Sequence, residues 1–165
     1  MDNHRVNTQI KKICSISYPF EKTSKHFVVY FHYNDRTCIK DILDALESNY
    51  SRIINDLNPN NPLPIIKIRV YTNILEFQEK SNIPKEFVWA VGISIGNDEI
   101  HIISPLNPEI KHSYKSMLYV LIHEFTHCVC LNISEYIHKN CVWLSEGIAL
   151  YEAKQFRTPY KINRI

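Results

Sequence analysis

The segment 117–133, MLYVLIHEFTHCVCLNI, is apolar almost throughout, yet it carries His123, Glu124 and His127 within little more than one helical turn. An apolar helix of this kind belongs in a core. A core has no structural use for two imidazoles and a carboxylate, and leaving them unpaired there would be costly. On a helix, residues four apart lie one turn apart on the same face. Two imidazoles at that spacing can reach one tetrahedral metal ion, each at about 2.0–2.1 Å. Glu124, one position after His123, flanks the metal rather than binding it, and there it can accept a proton from water on the metal. The chain has 8 histidines, and its composition alone would yield an HExxH about once in forty such chains, so the context must carry the argument. The bland alternative is a surface turn with stray charges. The run Met117, Leu118, Val120, Leu121 and Ile122 just before the motif speaks against it.

A second tract supplies what the first lacks. Glu146 follows His127 after 18 intervening residues, inside VWLSEGIALY. That gap lets the metal helix end, a loop of about eight residues turn, and a second helix return beside the first. Glu146 would then be the third ligand, through a carboxylate oxygen at about 2.0–2.2 Å. Gly147 and Ala149 lack bulk and would let the two helices approach. Leu144, Ile148 and Tyr151 share a face and are expected in the core.

Upstream, residues 26–33 (HFVVYFHY) read as a strand, with Asn34-Asp35 as the turn after it. Residues 37–57 read as a helix, since Ile39, Ile42, Leu43, Leu46, Tyr50, Ile53, Ile54 and Leu57 recur at three and four. The tract NPNNPLP over 58–64 ends it. A strand over 65–71 follows, then a short helix to 81 that starts at Asn73 with Glu76 three residues on. Residues 87–95 and 99–104 read as strands joined by the hairpin loop Gly96-Asn97-Asp98. Asn107-Pro108 offers a cap for a helix over 112–131, and Asn140 one for a helix over 142–156. The predicted fold class is α+β: a small mixed sheet with an active-site helix and an adjacent C-terminal glutamate helix. Residues 1–25 are predicted to be an N-terminal arm, or a strand over 13–18, and residues 26–165 one compact domain.

Net charge is 19 − 17 = +2, which gives no electrostatic case for nucleic acid or an acidic membrane surface as a partner. No uninterrupted apolar run reaches the ~18 residues of a membrane span. The N-terminus has no apolar core of a signal peptide. The five cysteines, Cys14, Cys38, Cys128, Cys130 and Cys141, are odd in number and irregular in spacing; they read as buried thiols in a reducing compartment, and the chain as cytoplasmic.

HEFTH, 18 residues, then WLSEGIALY resembles the gluzincin metallopeptidases, and specifically peptidase MA-like domains. The likeness is firmest over residues 87–152 and looser over 26–82. It implies a zincin-like fold, one zinc ion per chain, and hydrolysis of peptide bonds by metal-activated water with Glu124 as general base. It also implies an edge strand over the cleft, in which Gly92, Ile93 and Ser94 pair with an extended peptide or protein substrate. Zinc aminopeptidases of this type carry a glutamate near that strand; none lies within 88–96, which argues for an endopeptidase-like or an unassigned specificity. For the oxyanion, relatives place a tyrosine or histidine downstream of the glutamate ligand. Only 19 residues follow Glu146, so the candidates are Tyr160, then Tyr151 or His138. Glu152, Glu135 or a backbone carbonyl would receive the outer N–H of each histidine. The metzincin pattern is set aside, because positions 130 and 133 hold Cys130 and Ile133 rather than glycine and histidine. The short C-terminus leaves rivals: a zinc-stabilised interaction domain without turnover, a peptidase held latent by residues 1–25, or one whose cleft a partner completes.

Overall fold

The computed structural model describes residues 20–83 and 87–155. Five strands, β1 (Phe20–Thr23), β2 (Phe27–Phe31), β3 (Ile66–Tyr71), β4 (Gly92–Ile95) and β5 (Glu99–Ile103), form one mixed sheet in the order β1-β2-β3-β5-β4. The three central strands run parallel and each outer strand is antiparallel to its neighbour. Five helices accompany them: α1 (Ile39–Leu57), α2 (Ile74–Lys80), α3 (Tyr114–Ile133), α4 (Glu135–Asn140) and α5 (Val142–Glu152). The protein is a mixed α+β fold.

Strand alternation explains the two faces of the sheet. Phe27, Val29, Ile66, Ile68, Val70, Ile100 and Ile102 all point to one side and are fully buried. α1 and α3 cover that side, where Phe125 of α3 meets Phe27 edge-on at 5.2 Å and Tyr50 of α1 at 5.6 Å. The other face carries Lys67, Arg69, Glu99 and His101 and is covered at one end by α2, whose Phe77 packs on Tyr71.

α1 buries the stripe its periodicity marks, and it ends at Asn58, which takes the left-handed conformation at φ 46°. Asn73 caps α2 by accepting from the Leu75 and Glu76 amides. Gly96 opens the β4–β5 loop at φ 62°.

Several boundaries differ from the sequence reading. Residues 87–91 are not strand: the chain turns there, with the Ala90 amide donating to the Phe87 carbonyl, and β4 begins at Gly92. Phe87, Val88 and Trp89 therefore stand 48%, 53% and 73% exposed. Ser113, not Asn107, caps α3; Asn107 donates its side-chain amide to the Thr72 carbonyl and accepts from the Glu109 amide. The expected eight-residue loop after α3 contains α4, and Cys141 rather than Asn140 occupies the cap position of α5. α5 stops at Glu152. The strand expected over 13–18 lies outside the described residues; Phe20–Thr23 forms β1, the outer strand beside β2.

By length and composition α3 is long and apolar enough to cross a membrane, although charged and polar residues interrupt its apolar run. Over half of that stretch is buried inside the fold, where it lies against α1, α5, β4 and β5. It is the core helix of this domain.

Candidate metal centre

α3 places His123 and His127 one turn apart, and α5 packs against α3 and brings Glu146 against both. The two Nε2 atoms lie 3.0 Å from each other. One Glu146 carboxylate oxygen is 3.3 Å from His123 Nε2 and the other is 3.2 Å from His127 Nε2. Bonds of about 2.0–2.1 Å at tetrahedral angles put neighbouring ligand atoms about 3.3–3.4 Å apart. Each observed spacing lies within a few tenths of an ångström of that edge, with a different Glu146 oxygen facing each ring. Two imidazole nitrogens and a carboxylate form a donor set suited to zinc, and these three residues form a group able to hold a metal ion.

The charges agree with a cation site. Hydrogen bonds from His123 and His127 hold the Glu146 carboxyl far below the usual carboxylate range. Burial pushes His123 down, but the Glu146 hydrogen bond and the charges of Glu124 and Glu146 outweigh it and raise its pKa. Burial raises the Glu124 carboxyl, opposed in part by His127 and His123.

Glu124 faces β4, and its carboxylate accepts the Ser94 backbone amide. Gly92 makes the close approach possible, since a Cβ there would sit 2.8 Å from Val120 Cγ1 and 3.3 Å from Glu124 Cγ. The three residues expected to pair with substrate thus divide. Gly92 and Ser94 contact the motif helix, while Ile93 is half-buried and aligned with His101. Gly92 thus allows a tight helix–strand contact on β4, the outer strand of the sheet.

Two of the outer partners were missed. His123 Nδ1 lies 3.0 Å from Gln155 Oε1, and His127 Nδ1 lies 3.1 Å from Ser145 Oγ. The residues expected there do other work. Glu152 is buried and ion-paired with Arg52 of α1, and Glu135 pairs with Lys139 on the surface. A polar residue directly before the glutamate ligand was the one available signal, for Ser145; no spacing rule points to Gln155.

Among the oxyanion candidates, His138 of α4 stacks edge-on against His127 at 5.3 Å and reaches Ser145 Oγ. Tyr160 lies outside the described residues. Tyr151 is 63% exposed, not core, and lines a surface groove with Leu57, Trp143, Leu144 and Ile148. The buried face of α5 is Ser145, Ala149 and Glu152. Ala149 therefore lies in the packed face as expected, but Gly147 does not: a Cβ there would meet nothing within 4 Å. No protein-family model matches this chain, and no curated protein matches it.

Proposed function

We propose that this chain is a zinc-dependent metallopeptidase, an endopeptidase of gluzincin type acting on peptides or proteins, with His123, His127 and Glu146 holding one zinc ion. The observation that carries this reading is the convergence of those three donors at tetrahedral-edge spacing, with Glu124 beside them on the same helix. Zinc bound there would supply Lewis acidity, polarising a scissile carbonyl and lowering the pKa of water. Glu124 takes a proton from that water at a carboxylate oxygen and returns it to the leaving amine. The buried walls of α3 and β4 keep bulk solvent from Glu124, and the backbone of β4 is the element suited to align an extended chain.

One observation favours a second reading, a zinc-stabilised interaction domain that is silent or latent. Glu124 is only 9% exposed and already accepts the Ser94 amide. Metal content and hydrolysis of an unstructured protein, measured for wild type and Glu124→Gln, separate the two. The expected result is about one zinc per chain in both proteins, with hydrolysis at least about 100-fold slower in the variant. Equal hydrolysis removes Glu124 from the mechanism; zinc in both without hydrolysis in either favours the silent domain; no zinc in either removes the whole reading.

The same proposal places the chain in a reducing compartment, the cytoplasm. Cys38, Cys128, Cys130 and Cys141 are free thiols. Burial pushes Cys38 up to about 12 and Cys130 up to about 11, which keeps them poor nucleophiles.

A further inference from the structure

An imidazole that binds a metal through Nε2 carries its proton on Nδ1, so each ligand histidine needs an acceptor behind it. Behind His127 the acceptor is the Ser145 hydroxyl, 3.1 Å away. That hydroxyl also lies 2.9 Å from Nδ1 of His138. A serine hydroxyl has a single proton to give. It also has two lone pairs, so it can accept from His127 while donating to His138 when His138 carries its own proton on Nε2 and leaves Nδ1 bare. In that tautomer each bond in the chain His127–Ser145–His138 runs in one direction. Without His138 the hydroxyl proton loses its acceptor, and nothing holds the oxygen lone pairs turned toward His127.

Behind His123 the acceptor is Gln155, which arrives by a different device. At the end of α5 the Lys154 amide donates to the Tyr151 carbonyl and the Gln155 amide to the Leu150 carbonyl, each at 3.0 Å. This pairing is the Schellman reversal, and it needs a left-handed residue, here Lys154 at φ 54°. A lysine holds this strained position, which glycine would fill more easily. The reversal lays the Gln155 side chain against His123.

Resting on the metal-site reading above, we propose that His138 and Gln155 are positioning residues for the metal. His138 acts through Ser145 to orient His127, and Gln155 orients His123 directly. Both acceptors that touch the ligand rings are neutral. They fix ring orientation without the added basicity that a carboxylate would lend the ligands.

The test uses the whole chain and zinc alone as probe. Zinc affinity is read by competition with a chromophoric chelator, ligand geometry by the visible spectrum of the cobalt-substituted protein, and folding by the melting temperature of the metal-free form. His138→Phe and Gln155→Leu are each expected to weaken zinc about tenfold or more, to alter the cobalt spectrum, and to leave metal-free melting unchanged. His138→Asn, which keeps an acceptor near the Nδ1 position, is expected to recover most of the loss. Ser145→Ala combined with His138→Phe is expected to cost no more than Ser145→Ala alone, because the two act in series. Wild-type affinity in both His138→Phe and Gln155→Leu overturns the proposal. So does a loss that follows metal-free stability and is not recovered by His138→Asn. If wild type takes up no zinc, the metal-site reading falls and carries this one with it; if wild type binds zinc and the variants match it, only the present inference falls.

Discussion

A single methyl group at position 92 would collide with the motif helix. Val120 is β-branched and fixed on α3, so it cannot swing away from a Cβ only 2.8 Å off, and the strand or the helix must give. Gly92→Ala is expected to destabilise the fold by about 1–3 kcal/mol. It is also expected to shift Glu124 off the Ser94 amide, so that hydrolysis falls while zinc content holds. Urea denaturation and metal analysis of the purified variant check both parts. At this scale the inner site was readable from the sequence, because His123, Glu124 and His127 sit within one turn and the helical repeat alone aligns them. Ser145, His138 and Gln155 were not readable as a set. Their contacts depend on the angle at which α5 returns and on a left-handed Lys154, and neither is written in residue spacing. Tyr160 falls outside the described residues.

Two contacts hold whole elements in place. Arg52 of α1 pairs with the Glu152 carboxylate, donates to the Glu152 carbonyl at 2.7 Å and also reaches Asn49. It thereby locks the end of α5 that leads into Gln155. Glu152 is 2% exposed, so Arg52→Ala would strand a buried charge at a cost of about 3 kcal/mol, measurable by chemical denaturation. At the β1–β2 turn, Glu47 of α1 accepts from the Ser24 hydroxyl at 2.6 Å and the His26 amide at 2.9 Å, and meets the His26 ring at 2.7 Å. Burial pushes the Glu47 carboxyl up, but these bonds outweigh it and hold it below its usual value. A carboxyl with a depressed pKa in the folded state stabilises the fold above the ordinary glutamate range near 4.3, and that stability drains away as pH falls below it. Glu47→Gln is therefore expected to flatten the acid limb of a stability-against-pH curve and to leave the form of the curve above pH 6 unchanged. The long elements were legible where one pattern dominated, as in the 3.6-residue stripe of α1 and the Asn73 cap of α2. The limits of β4 were not, because Phe87, Val88 and Trp89 have a β-rich composition yet lie in a turn closed by the Ala90 amide on the Phe87 carbonyl.

At the scale of the molecule, the parallel centre of the sheet is closed by two antiparallel outer strands. The motif helix packs on the side that buries Val70, Ile100 and Ile102, with β4 at its flank. The α+β class followed from the alternation of strand and helix signals, whereas the strand order did not, since it is set by which backbone edges meet. The candidate ligands come from one stretch of chain, with only 18 residues between His127 and Glu146. On the proposed reading, so short a span costs a disordered polymer little entropy to close. An unravelled chain would then keep some grip on the cation, and occupancy of both forms partly cancels in the equilibrium between them. Thermal resistance should then climb with zinc concentration less steeply than the affinity of the native form alone would require.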